Sequence, residues 1–112
     1  MLILYKSNKL AKEFNNEDLL VKRFGERRAN IIKIRLTQIN AADSLDDLRY
    51  LRQMRCHELK GKRRGQLSVD LDHPYRLVFE PADNPIPKKA DGGLDWRKVT
   101  IIRIISVEDT HE

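Results

Sequence analysis

"LSVDLDHPYRLVFEP", residues 67–81, holds two alternating runs on either side of a turn. Leu67, Val69 and Leu71 alternate with Ser68 and Asp70, and Tyr75, Leu77 and Phe79 alternate with Arg76, Val78 and Glu80. A period of two gives each run one apolar face, as a half-buried strand requires. Asp72-His73-Pro74 between the runs is turn chemistry, because Asp bonds to nearby backbone and proline fixes φ. The stretch predicts an antiparallel hairpin, with Tyr75, Leu77 and Phe79 facing a core and Arg76 facing away from it.

Upstream the period changes to about 3.6. Leu2 to Lys6 suits a first strand. Ser7 or Asn8 can cap a brief helix through Phe14, and Asn16 followed by Glu17 and Asp18 opens a longer one. That helix is expected to run to about Asn40, with Ala29, Ile32, Leu36 and Ile39 as its core face and Arg23, Arg27, Arg28, Lys33 and Arg35 on its basic remainder. Gly25 sets a kink or a split within it. Ser44 and Asp47 resemble a capping box opening a short helix with Leu45, Leu48 and Leu51 inward. Met54 to Leu59 reads as another strand. "VTIIRIISV", residues 99–107, is apolar on both faces apart from Arg103 and two hydroxyl residues, which marks an interior strand. The loop between Pro81 and Trp96 is long, with Trp96 pinning its far end. The order of strand, helices and four strands gives an α+β fold. It has a small, mainly antiparallel sheet with helices on one face, in a single domain over residues 1–112.

The charge is uneven. Formal net charge is +5, but residues 1–65 carry 16 Lys and Arg against 8 Asp and Glu, while residues 66–112 carry 6 against 9. Such a surface is either merely solvated or favours an acidic partner, nucleic acid above all. A single cysteine, Cys56, rules out an intramolecular disulfide and fits a reducing, cytoplasmic setting. The apolar start "MLILY" is too short for a secretory signal, and no stretch approaches the length of a membrane span.

Cys56, His57, His73 and His111 lack paired ligand spacing, so no metal site is expected. Cys56 reads as a small buried residue and His73 as part of the turn. No Gly-rich loop follows a strand and opens a helix, so no nucleotide cofactor is expected. Lys60, Lys62, Arg63 and Arg64 form a basic tip beside Gly61 and Gly65, and Arg76 lies within reach on a neighbouring strand. His57 is either a half-buried structural histidine or a proton carrier. Asp109 and His111, two residues apart, can point the same way.

Three stretches together, "FGERRANIIKIRLTQINAADSLDDL", "CHELKGKRRGQLSVDLDHPYRLVFEP" and "DGGLDWRKVTIIRIISVEDTH", resemble the HigB-like toxins of the RelE/ParE superfamily. The specific part is H-x-L-K-G, a basic loop, S-V, Y-R-L-V-F and a closing D-x-H. The resemblance implies a RelE-like fold and a ribosome-dependent mRNA endoribonuclease that works without a metal. It also implies a helix-turn-helix antitoxin as partner, alongside mRNA and ribosome. His57, Arg76, Asp109 and His111 fall on the family's active-site positions, and Lys60 with the basic loop on RNA- or ribosome-contacting ones. Thr110 stands where the family usually has tyrosine, so a ring able to stack on a base is missing. The superfamily also contains gyrase-directed toxins, and a non-catalytic nucleic-acid-binding module is the other alternative.

Overall fold

Ser7 and Asn16 open their helices by the same device. Ser7 Oγ accepts from the Leu10 amide and Asn16 Oδ1 from the Leu19 amide, each at 3.1 Å, meeting an N–H group that a helix start leaves unpaired. The resulting helices are α1, Asn8–Phe14, and α2, Glu17–Phe24. A computed structural model describes residues 1–109 of the chain. In it the expected long helix is split, because Gly25 adopts φ 82°, a value that disfavours any side chain. The second piece is α3, Glu26–Ala41.

The Asp47 carboxylate reaches back to the amides of Asp43 (2.9 Å) and Ser44 (3.4 Å), the acidic half of the expected box. The helix it opens is of the tighter 3₁₀ kind, Leu45–Tyr50, with Leu45 and Leu48 wholly buried. Leu51 was expected inward but lies beyond the end of this helix, where the chain turns away, and is 36% exposed.

Five strands form one open sheet: β1 (Leu2–Tyr5), β2 (His57–Glu58), β3 (Leu67–Asp70), β4 (Tyr75–Pro81) and β5 (Ile101–Asp109). Their order is β1-β5-β4-β3-β2, with β1 parallel to β5 and the other pairs antiparallel. The hairpin forms in the expected register, Leu67 opposite Phe79 and Asp70 opposite Arg76. The strand expected from Met54 to Leu59 shrinks to two residues. Met54 is buried at the end of a 3₁₀ turn, and Arg55 takes the left-handed region at φ 46°, ψ 49°, which interrupts extension. Of the expected stretch 99–107, residues 101–107 enter the interior strand β5, which lies between β1 and β4.

The helices cover one face. Leu10, Phe14, Leu20, Ala29, Ile32 and Ile39 pack with Val69, Leu77, Phe79, Ile102 and Ile104 in a single core. Arg35, expected on the basic side of the helix, is 9% exposed. Its Nε donates to the Asp70 carbonyl at 2.7 Å. Arg28, two turns earlier on the same face, grips the Asp72 carboxylate at 2.9 and 3.2 Å and stacks 3.5 Å over the Tyr75 ring. Two arginines of α3 thus hold both sides of the hairpin turn, which fixes where Arg76 begins β4. At the far end of the long loop, Trp96 is buried and donates from Nε1 to Glu58 at 3.0 Å.

The pairing of β4 with β5 slips once. Phe79 pairs with Ile104 but Val78 pairs with Ser106, so Ile105 is an extra residue. A bulge of this kind reverses which side chains face the core. Before it, Ile102 and Ile104 point inward; after it, Val107 joins the core margin, while Ser106 and Glu108 turn outward. Among the described residues no helix is long and apolar enough to cross a membrane.

Candidate functional site

Residues directly opposite in paired strands share a face. On the face away from the helices, two rows therefore run across the sheet. One is His57, Ser68, Val78 and Ser106; the next is Asp70, Arg76 and Glu108. Arg55, two residues before His57, reaches the second row, with Nη1 3.6 Å from Asp70 Oδ2.

His57 is half-buried, with Nδ1 2.9 Å from the Arg55 carbonyl. A carbonyl only accepts, so Nδ1 carries the proton, and in the neutral ring the lone pair sits on Nε2. Arg76 is 19% exposed and its Nε lies 3.4 Å from Asp70 Oδ1, too long and too loose to satisfy either group fully. Among the described residues, three polar atoms on this face are buried with no hydrogen-bond partner: Arg76 Nη1, Asp70 Oδ1 and Ser68 Oγ. Leaving such a group unpaired costs about 1–3 kcal/mol, more for a charge. Unmet donors and acceptors of this kind concentrate where a ligand supplies the missing contacts.

The basic loop divides in two. Lys60, Lys62 and Arg64 are exposed. Arg63 instead crosses the outer face to β5 and grips Glu108 through two bonds of 2.5 Å, and Ser106 Oγ bonds the same carboxylate. The Arg63 guanidinium, helped by Ser106 and opposed by burial, holds the Glu108 carboxyl at about 2. A depressed carboxyl pKa stabilises the fold above the unfolded value, near 4.5, and that contribution disappears as pH falls toward about 2. Glu108→Gln should therefore flatten this part of the acid-unfolding curve, measured as melting temperature by circular dichroism across that window. An acid limb identical to wild type would mean the pair contributes nothing.

The resemblance implies Asp109 among the active-site residues, and the bulge sets where it stands. Asp109 is exposed at the end of β5 and lies opposite Tyr75, whose ring packs on the helix side, whereas Glu108 lies opposite Arg76. Thr110 and His111 lie outside the described residues. Of the expected catalytic set, His57 and Arg76 share one face. Arg55, Asp70 and Glu108 were missed. Asp70 alone had a legible signal, since it alternates with Val69 and Leu71 and so belongs to the polar face of the hairpin. Burial pushes the Cys56 thiol up to about 12, which keeps it protonated and inert as a nucleophile. Among the described residues no group of three or more His, Cys, Asp or Glu is placed to hold a metal ion.

The family described as the RelE-like toxin of the type II toxin-antitoxin system HigB matches residues 4–90. The chain belongs to the HigB-like toxin family. That match takes in the helices, His57, the basic loop, the hairpin and Arg76, and ends before β5 begins. A HigB-like toxin is one half of a type II pair, so family membership implies an antitoxin partner. The fold agrees, with its open mixed sheet and helices packed on one side. No curated protein matches the chain.

Proposed function

We propose that this HigB-like toxin is an endoribonuclease that cuts mRNA on the ribosome, using the substrate's own 2′-OH as nucleophile. The observation that carries this reading is the placement of His57 and Arg76 on one open sheet face, beside exposed cations. His57 Nε2 takes the 2′-OH proton, with the Arg55 carbonyl holding the ring in the required tautomer. The 2′-oxygen attacks phosphorus and Arg76 stabilises the charge that builds on the phosphorane. The P–O5′ bond breaks, leaving a 2′,3′-cyclic phosphate and a 5′-hydroxyl. Protonating the leaving oxygen is the role left for His111, and Asp109 is the carboxylate near enough in sequence to orient it. No step draws on a metal ion or an organic cofactor. In the cell the toxin works in the cytoplasm, where ribosomes are, and a helix-turn-helix antitoxin silences it.

Lys60, Lys62 and Arg64 guide the polyanion. Replacing all three by Ala should lower the slope of log affinity against log salt by about 0.7 for each single-strand phosphate they neutralise. An unchanged slope would reduce the loop to a solvated tip. Arg63 is left out of that set because Glu108 already holds it.

The deciding experiment is incubation of purified protein with ribosomes programmed by a defined mRNA, with cleavage mapped by primer extension. Cleavage only on the ribosome supports the reading. RNA binding without cleavage favours a non-catalytic module. Inhibition of gyrase supercoiling without either favours the gyrase-directed class.

A further inference from the structure

Arg55 is the one non-glycine residue with positive φ among those described, at 46°. The left-handed region crowds the Cβ of an L-residue against its own backbone, so arginine adopts it only where its surroundings hold it there. Here the strain accompanies a specific placement. The strained backbone starts β2 and aims the Arg55 carbonyl at His57 Nδ1. It also sets the Arg55 guanidinium, 67% exposed, beside Asp70.

Asp70 is shared between two arginines. Its Oδ2 is 3.6 Å from Arg55 Nη1 and its Oδ1 is 3.4 Å from Arg76 Nε. Neither distance is a full hydrogen bond, so Asp70 brings two cations together without saturating their donors. Arg76 Nη1 is buried with no acceptor, and so is Asp70 Oδ1 with no donor. Arg55, Asp70, His73, Tyr75 and Arg76 line one cleft of about 70 Å³, room for a phosphoryl group in place of a few waters. The Arg55 side chain, 67% exposed, and that of Arg76, 19% exposed, both line this small space. A guanidinium pair matches the oxygens of a phosphate, which take bidentate donors.

We propose that Arg55 and Arg76 together form a clamp for the phosphate of the RNA strand being cut, with Asp70 as the carboxylate that sets their spacing. This rests on the endoribonuclease reading and adds to it a second substrate-contacting cation. His57 stands two residues along from Arg55, its ring tied to the Arg55 carbonyl. That placement lets the imidazole meet a ribose hydroxyl while the clamp holds the adjoining phosphate.

The test uses Arg55→Gly. Glycine keeps the carbonyl that orients His57 and relaxes in the left-handed region, so the variant removes the guanidinium and little else. Arg55→Asn, also tolerant of that region, serves as a second variant should glycine loosen the turn. The probe is a short fluorescent single-stranded RNA carrying 2′-O-methyl groups throughout, which cannot be cut. Both variants should melt at or above the wild-type temperature, bind the probe about tenfold more weakly, and lose about 0.7 from the log–log salt slope. Wild-type affinity and slope in either folded variant would overturn the clamp while leaving the endoribonuclease reading standing. If the wild-type protein fails to bind the probe at any salt and fails to cut ribosome-bound mRNA, that reading falls, and the clamp with it.

Discussion

Arg76→Ala is expected to lower single-turnover cleavage of ribosome-bound mRNA by about 10²- to 10³-fold, the usual loss when one preorganised charge donor is removed. The alternation in the sequence placed Arg76 on the strand face away from the core, where a fully exposed arginine would contribute little to folding. The structure modifies that, because Arg76 is 19% exposed and ion-paired with Asp70. Some loss of stability should therefore accompany the loss of rate. Arg76→Lys separates the two effects, since it keeps the aliphatic stem and the charge but not the planar fork. The lysine variant should melt close to wild type yet stay well below it in rate. Wild-type cleavage by the alanine variant would remove Arg76 from the site.

His57→Ala should slow the same reaction by about 10²-fold or more, the contribution of a positioned base. The loss should appear in the rate of the bound complex, with affinity for uncut RNA nearly unchanged, because a neutral imidazole adds little to phosphate binding. His57→Gln keeps a group able to bond the Arg55 carbonyl but cannot take a proton, and should be as slow as alanine. If glutamine restores the rate, His57 positions its neighbours and another group is the base.

The hairpin was readable because two physical signals agree there. The alternation of Tyr75, Leu77 and Phe79 with Arg76 names both faces, and the turn residues set the register. Gly25 was readable for the same kind of reason, since a residue without Cβ at a helix interior marks a break. Three features near the site were not readable. Ile105 is apolar like Ile104 and Ile101, so no composition signal marks it as the extra residue that sets Glu108, rather than Val107, opposite Arg76 and turns Asp109 to the other face. Arg35 sits among other cations on α3, and its burial depends on acceptors the sequence does not mark, the Asp70 carbonyl and the Gln38 side chain. Arg55 looked like an extended residue because a left-handed backbone in arginine is set by tertiary contacts, not by local preference. The family resemblance supplied His57 and Arg76; their common face came from strand pairing, and the tautomer of the histidine from the Arg55 carbonyl.

The parallel pairing of β1 with β5 has a consequence for synthesis. Leu2 has no strand partner until Ile101 has been made, and β5 also provides the edge on which β4 lies. Pairings between such distant residues form late and slowly. A nascent chain that has emerged only as far as the hairpin has Arg76 but no β5 beside it, and β1 is still unpaired. If the translating ribosome is the target, as proposed, the face that carries Arg76 is complete only once β5 has joined β4 and β1.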